Sequence, residues 1–170
     1  AAEERGHDES TDNKQYQNAI DLYNEIINYH NYPNEFDIEI KLAQAYQDSG
    51  NINKSENIYQ NLIDRNVDNI ENEIQILKNI TDIKKYKQSR ETLMVYKALE
   101  LENLDKNKEA LRQYINIEEE LENNIFKTLV KYRAYQILQN TITYLENNND
   151  ISKDAAEKLR DIAKISPNSY

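Results

Sequence analysis

No cysteine occurs among the 170 residues. That removes disulfides, thiolate nucleophiles and Cys-ligated zinc together, and leaves the redox compartment open, because a chain without thiols folds equally well in either. Tryptophan is also absent, and glycine and proline number two each. So few turn residues exclude the tight turns of a many-stranded sheet and leave no material for a glycine-rich phosphate loop. No apolar run approaches the ~20 residues that span a bilayer, and the start Ala1-Ala2-Glu3-Glu4-Arg5 lacks the apolar core of a signal peptide, so direct membrane insertion by this chain is not expected. The sequence opens without Met, which leaves room for an anchor or export signal ahead of it. Positive charge is short as well: 21 Lys and Arg stand against 31 Asp and Glu, a net charge of -10. Such a field repels phosphate backbones and anionic lipid, which excludes nucleic acid as a partner.

What is present is helical periodicity in short polar frames, and it predicts an all-α chain of about eight antiparallel helices. Residues 1–12 read as a disordered polar tail. Asp12 or Asn13 caps a first helix with Tyr16, Ala19, Ile20, Tyr23, Ile26 and Ile27 on one face, ended by Pro33. A second stripe, Ile38, Leu42, Ala43, Ala45 and Tyr46, stops at Gly50, the residue suited to a left-handed helix end. A third follows through Ile52, Ser55, Ile58, Tyr59, Leu62 and Ile63, and a fourth through Ile70, Ile74, Ile76, Leu77 and Ile80. The fifth runs from about Lys87 to Asn103 through Leu93, Met94, Tyr96, Ala98 and Leu101; the sixth carries Ala110, Leu111, Tyr114 and Ile117. The seventh, the longest, carries Leu129, Val130, Ala134, Leu138 and Ile142, and the eighth is expected to pack through Ala155, Leu159 and Ile162 after a cap at Asp150 or Ser152. Loops this short place sequential helices antiparallel. Residues 13–165 are therefore read as a single domain, with a second short tail over 166–170.

Helices two and three carry more than periodicity. From Glu39 the order is Leu42-Ala43, Tyr46, the Gly50 turn, Ser55, Tyr59 and Val67. This resembles the tetratricopeptide-repeat (TPR) family, whose 34-residue unit is a helix-turn-helix, with one clear repeat over about 36–69. Small residues at Ala43 and Ser55 let two helix backbones cross closely, and Tyr46 and Tyr59 fill the space beside them. A copy 34 residues on falls at Ile76-Leu77, Ile80, Ser89 and Leu93, with Lys84 in place of Gly50. The first helix looks like half a repeat, so recognisable repeats cover 13–103. Over 104–165 the helices are irregular and end in a C-terminal cap. There Ala110 and Tyr114 fit a second helix of a pair, whereas helix order makes helix six a first; both readings stand. The resemblance implies helix pairs stacked as a short right-handed superhelix.

Candidate chemistry is sparse. His7 and His30 have no partner at metal-ligand spacing, so no metal and no cofactor are expected. Glu118, Glu119, Glu120 and Glu122 fan around a helix as a solvated face, not as a general acid and base. No serine sits in a nucleophile elbow, and the 13 tyrosines mostly occupy core positions. The expectation is a protein that is not an enzyme. In the TPR family the first helix of each repeat lines a concave groove. The resemblance maps that groove to Asp37, Ile40, Gln44, Gln47 and Asp48, and again to Glu71, Ile74, Lys78, Thr81 and Asp82. Carboxylates and amides around two aliphatics suit a protein segment or helix with apolar anchors and basic residues. The expected role is a scaffold or adaptor for another protein. The abundance of Asn, Ile and Lys is that of an AT-rich bacterial genome, so a bacterial envelope assembly is the setting, given an export segment. A second reading is homo-oligomerisation, with helices seven and eight packed on another copy. An unrecognised carboxylate enzyme is a third.

Overall fold

The computed structural model describes the backbone of residues 2–29, 35–82 and 89–165 and the side chains of 13–29, 35–80 and 90–163. Eight helices make up the described residues, and none of those residues is in a strand. They are α1 (Ala2–Asn28), α2 (Glu35–Asp48), α3 (Ile52–Arg65), α4 (Ile70–Asp82), α5 (Ser89–Asn103), α6 (Asn107–Glu118), α7 (Asn124–Asn147) and α8 (Lys153–Ile165). The all-α expectation and its helix count are met. The first helix differs, since the backbone is already helical from Ala2 where the sequence predicts a tail over 1–12. Ala2, Glu3, Glu4 and Arg5 are good helix formers, and Gly6 alone costs only about 1 kcal/mol, too little to break the helix. Pro33, His30 and 166–170 lie outside the described residues.

The chain divides into two compact units, Ala1–Leu62 and Ile63–Tyr170. The boundary falls inside α3, where no Pro or Gly marks it in the sequence.

In the first unit α1 packs on α2. Ile20, Leu42 and Ala45 form the buried cluster, with Tyr23, Ile27, Tyr46 and Ile58 packed against it. Ala43, Ser55 and Tyr59 are fully buried, as close crossing requires. Between α2 and α3 the chain turns at Gly50, whose φ of +88° is left-handed. Gly50 N–H donates to Gln47 O at 3.0 Å and Asn51 N–H to Tyr46 O at 2.8 Å, which satisfies carbonyls that the helix end would otherwise leave open. No atom lies within 4 Å of a Cβ built there, so the demand for glycine comes from backbone conformation and not from space.

In the second unit α4 packs on α5, α5 on α6, α6 on α7 and α7 on α8, and α5 also touches α7. Ile76, Leu77 and Ile80 of α4 are fully buried, with Val95 and Leu99, Ala110, Phe126 and Leu129 from the helices that follow. The α6–α7 link is pinned twice. Asn123 Oδ1 accepts from Ile125 N–H at 2.9 Å and Phe126 N–H at 3.0 Å, and Glu91 Oε1 accepts from Glu122 N–H at 2.5 Å and Asn123 N–H at 3.2 Å.

The Gly50 turn recurs without glycine. Asp105 and Asn149 both have φ of 60°. At the first, Lys106 N–H donates to Leu101 O at 3.0 Å; at the second, Asp150 N–H donates to Leu145 O at 2.9 Å. Each turn leads into a helix whose fully buried small residue bonds back to its cap: Ser55 to Asn51, Ala110 to Lys106 and Ala156 to Ser152. The α2–α3 pattern thus returns in α5–α6, where Ala98, Ala110 and Tyr114 take the places of Ala43, Ser55 and Tyr59, all of them buried. The 34-residue copy puts Leu93 at Tyr59's place, and the structure differs there, since Leu93 is 42% exposed. Thr92, Val95, Ala98 and Leu99 form the buried face of α5 instead, because α5 is the leading rod of the hairpin that turns at Asp105. Helix six packs on both α5 and α7, so both readings of its place in a pair stand. The prediction for the last helix also shifts: in α8 Ala156 is the fully buried residue, while Leu159 and Ile162 are exposed.

Candidate functional site

The groove positions predicted on α2 and α4 fall in different units, so each helix is described by itself. On α2, Asp37 and Asp48 are exposed and Gln44 and Gln47 are half-buried, with Gln47 Oε1 lacking a hydrogen-bond partner. Ile40 is buried, which corrects its assignment as a surface anchor. The reason is that α2 buries Ile38, Ile40, Leu42, Ala43 and Ala45. At helical spacing Ile38, Leu42 and Ala45 share one face and Ile40 and Ala43 another, so α2 is buried on more than one face. On α4, Glu71 and Lys78 are exposed and Ile74 is half-buried. Thr81 and Asp82 lie in its last turn, and their side chains are outside the described residues.

The sequence reading missed a buried polar cluster in the second unit. Its centre is Arg133 on α7. Nε donates to Glu102 Oε1 on α5 at 2.9 Å, Nη2 donates to Glu102 Oε2, and Nη1 donates to Val67 O at 3.3 Å. Tyr114 on α6 donates its hydroxyl to Glu102 Oε1 at 2.8 Å. Burial opposes the charge of Arg133, but the hydrogen bond and negative charge of Glu102 outweigh it and hold the guanidinium above its usual value. Burial, then the charge of Glu102, raise the Tyr114 phenol.

Beside this cluster Glu73 on α4 is fully buried, and neither carboxyl oxygen has a hydrogen-bond partner. Burial pushes its pKa up to about 9; Arg133 pulls the other way, and Asp64 and Asp68 push it higher. It is a neutral acid at neutral pH. With no exposed surface it meets no substrate, so its chemistry concerns the stability of the unit. One signal for both residues lay in the sequence. Glu73 sits three residues after Ile70 and four before Leu77, and Arg133 sits between Leu129 and Ile137, so each interrupts an apolar stripe.

Of the predicted acidic run, Glu118 pairs with Lys131 at 3.5 Å, and Glu119, Glu120 and Glu122 are exposed. Among the described residues no group of three or more His, Asp or Glu could hold a metal ion, and no helix is long and apolar enough to cross a membrane. No family model matches the chain, and no curated protein or solved structure matches it.

Proposed function

We propose that this chain is a TPR-like, non-catalytic scaffold that binds another protein. The observation that carries the reading is the paired-helix unit itself: small residues buried at the crossing, a left-handed turn, a buried tyrosine, and the same set again in α5–α6. Chains of this design present helix faces as binding surface and have no need of a reacting group. The exposed carboxylates Asp37 and Asp48 on α2 lie in the more acidic part of the chain. Residues 1–62 hold 12 Asp and Glu against 4 Lys and Arg, which suits a partner segment carrying basic residues.

The experiment is affinity capture with the Asp37→Lys, Asp48→Lys double variant beside the wild type. Both residues are exposed, so helicity and melting temperature are expected to stay unchanged. Partners identified by mass spectrometry with the wild type are expected to be lost or reduced at least tenfold. Equal capture by the two proteins overturns the assignment of the α2 face.

A further inference from the structure

Two acids of the second unit lie near one guanidinium, and one of them is paired with it. Glu102 accepts from Arg133 Nε at 2.9 Å and from Nη2, and takes the Tyr114 hydroxyl at 2.8 Å. Glu73 is fully buried, and neither of its carboxyl oxygens has a hydrogen-bond partner. The backbone sets Glu73 beside the same guanidinium. Arg133 Nη1 donates to Val67 O at 3.3 Å in the loop before α4, and two residues along Asn69 O accepts from Glu73 N–H at 3.0 Å.

Charge then decides which acid keeps a proton. A buried carboxylate without a counter-ion is far costlier than a buried carboxylic acid. Arg133 on α7 is the positive charge that acts on Glu73, while Asp64 at the end of α3 and Asp68 in the following loop act with the opposite sign. One guanidinium neutralises one carboxylate. Glu102 takes it, because three hydrogen bonds favour its charged form, and Glu73, with none, stays a neutral acid. The result is a competition, not a fixed property of either residue. A guanidinium has five N–H donors; Glu102 uses two and Val67 one, so Nη1 and Nη2 each have an N–H left for another acceptor. The side chains of Arg133 and Glu102 are only 11% and 10% exposed, too little for water to stand in for a lost carboxylate. We infer that Glu73 is the reserve counter-ion of Arg133: when Glu102 loses its charge, Glu73 gives up its proton and ties α7 to α4 in place of α5. The two acids thus titrate as a pair around one cation. This goes beyond the scaffold reading and does not depend on it.

A double-mutant cycle in urea at pH 7 tests it, with wild type, Glu73→Gln, Glu102→Gln and the double variant. Gln mimics the neutral acid. In the wild type Glu73→Gln is expected to raise the folding equilibrium constant by roughly a hundredfold, because it removes the need to take up a proton. In the Glu102→Gln background the sign is expected to reverse, with a loss of about tenfold or more, because Arg133 then loses its last carboxylate. The same sign in both backgrounds would overturn the proposal. So would a Glu102→Gln chain that is unfolded without urea, since Glu73 would have failed to take over. The pH profile supplies a second readout. A raised folded value costs the wild type stability as pH climbs from about 4.5 towards 9, so the advantage of Glu73→Gln grows over that range. With Glu102→Gln in place that growth is expected to vanish, because Glu73 is then ionised in the folded chain as in the unfolded one. Growth that persists there would equally overturn the exchange.

Discussion

At pH 7 a carboxyl with the ordinary value of 4.5 is ionised in the unfolded chain, yet Glu73 in the folded protein is pushed up to about 9 by burial. Folding therefore takes up a proton at this residue. A raised folded value means that the group's contribution is complete below about 4.5, falls as pH rises towards 9 and is level above that. At pH 7 the cost relative to acid conditions is about 3 kcal/mol on the scale of 1.36 kcal/mol per pKa unit. Glu73→Leu is expected to stabilise the protein in urea unfolding at pH 7, with an advantage that widens between pH 5 and pH 9. An advantage that does not vary with pH would mean that Glu73 keeps its ordinary value. The anomaly of a carboxylate on the Ile70 to Ile80 stripe was legible in the sequence; its surroundings were not. Arg133 finds Glu102 and Val67 at separations of 31 and 66 residues, and pairings of that range are set by how helices pack, which periodicity does not record.

Among elements, the three left-handed turns share one geometry and differ in how plainly they announce it. Gly50 is readable because glycine alone adopts positive φ without strain. Asp105 and Asn149 reach 60° with a side chain in place, which Asp and Asn tolerate better than other residues, at a cost of up to about 1–2 kcal/mol. Gly50→Ala is expected to lower stability by about 1–2 kcal/mol, and Asp105→Gly and Asn149→Gly to raise it by up to about 1 kcal/mol each. Thermal unfolding of the three variants checks this, and a destabilised Asp105→Gly would show that the aspartate side chain holds the turn. The register of the repeat was less legible than its turn. Periodicity marked α5 as helical but let Leu93 stand for Tyr59, because the 34-residue spacing kept an apolar residue there. The face that α5 buries, with Thr92, Val95, Ala98 and Leu99, is instead set by the helices it packs on, α4 and α6.

For the molecule as a whole, scarcity of glycine and proline together with eight apolar stripes was enough to predict the all-α fold and the eight helices seen among the described residues. The division into two units was hidden, because its boundary lies within α3, and a continuous helix carries no linker signal. Charge follows that division: of the net -10, residues 1–62 hold 12 acidic and 4 basic side chains. Self-repulsion should therefore weigh on the first unit and be relieved by screening, whose length is about 8–10 Å at physiological salt. Hydrogen exchange from low to several hundred millimolar NaCl is expected to slow the amides of α2 a few-fold while leaving those of α6 and α7 nearly unchanged. A uniform response across the chain would show that the charge asymmetry has no bearing on stability.

A stack of hairpins in which each touches only its neighbours comes apart like a ladder, rung by rung from an end. In the second unit Arg133 works against this, beside the Glu91 carboxylate that holds the α6–α7 link. Arg133 holds the loop carbonyl of Val67, the Glu102 carboxylate on α5 and, through that carboxylate, the Tyr114 hydroxyl on α6. Fraying can run through α8 and stop there. Once α7 lifts away, α5, α6, α7 and the Val67 loop lose their common tie at the same moment, so these four segments are expected to unfold together.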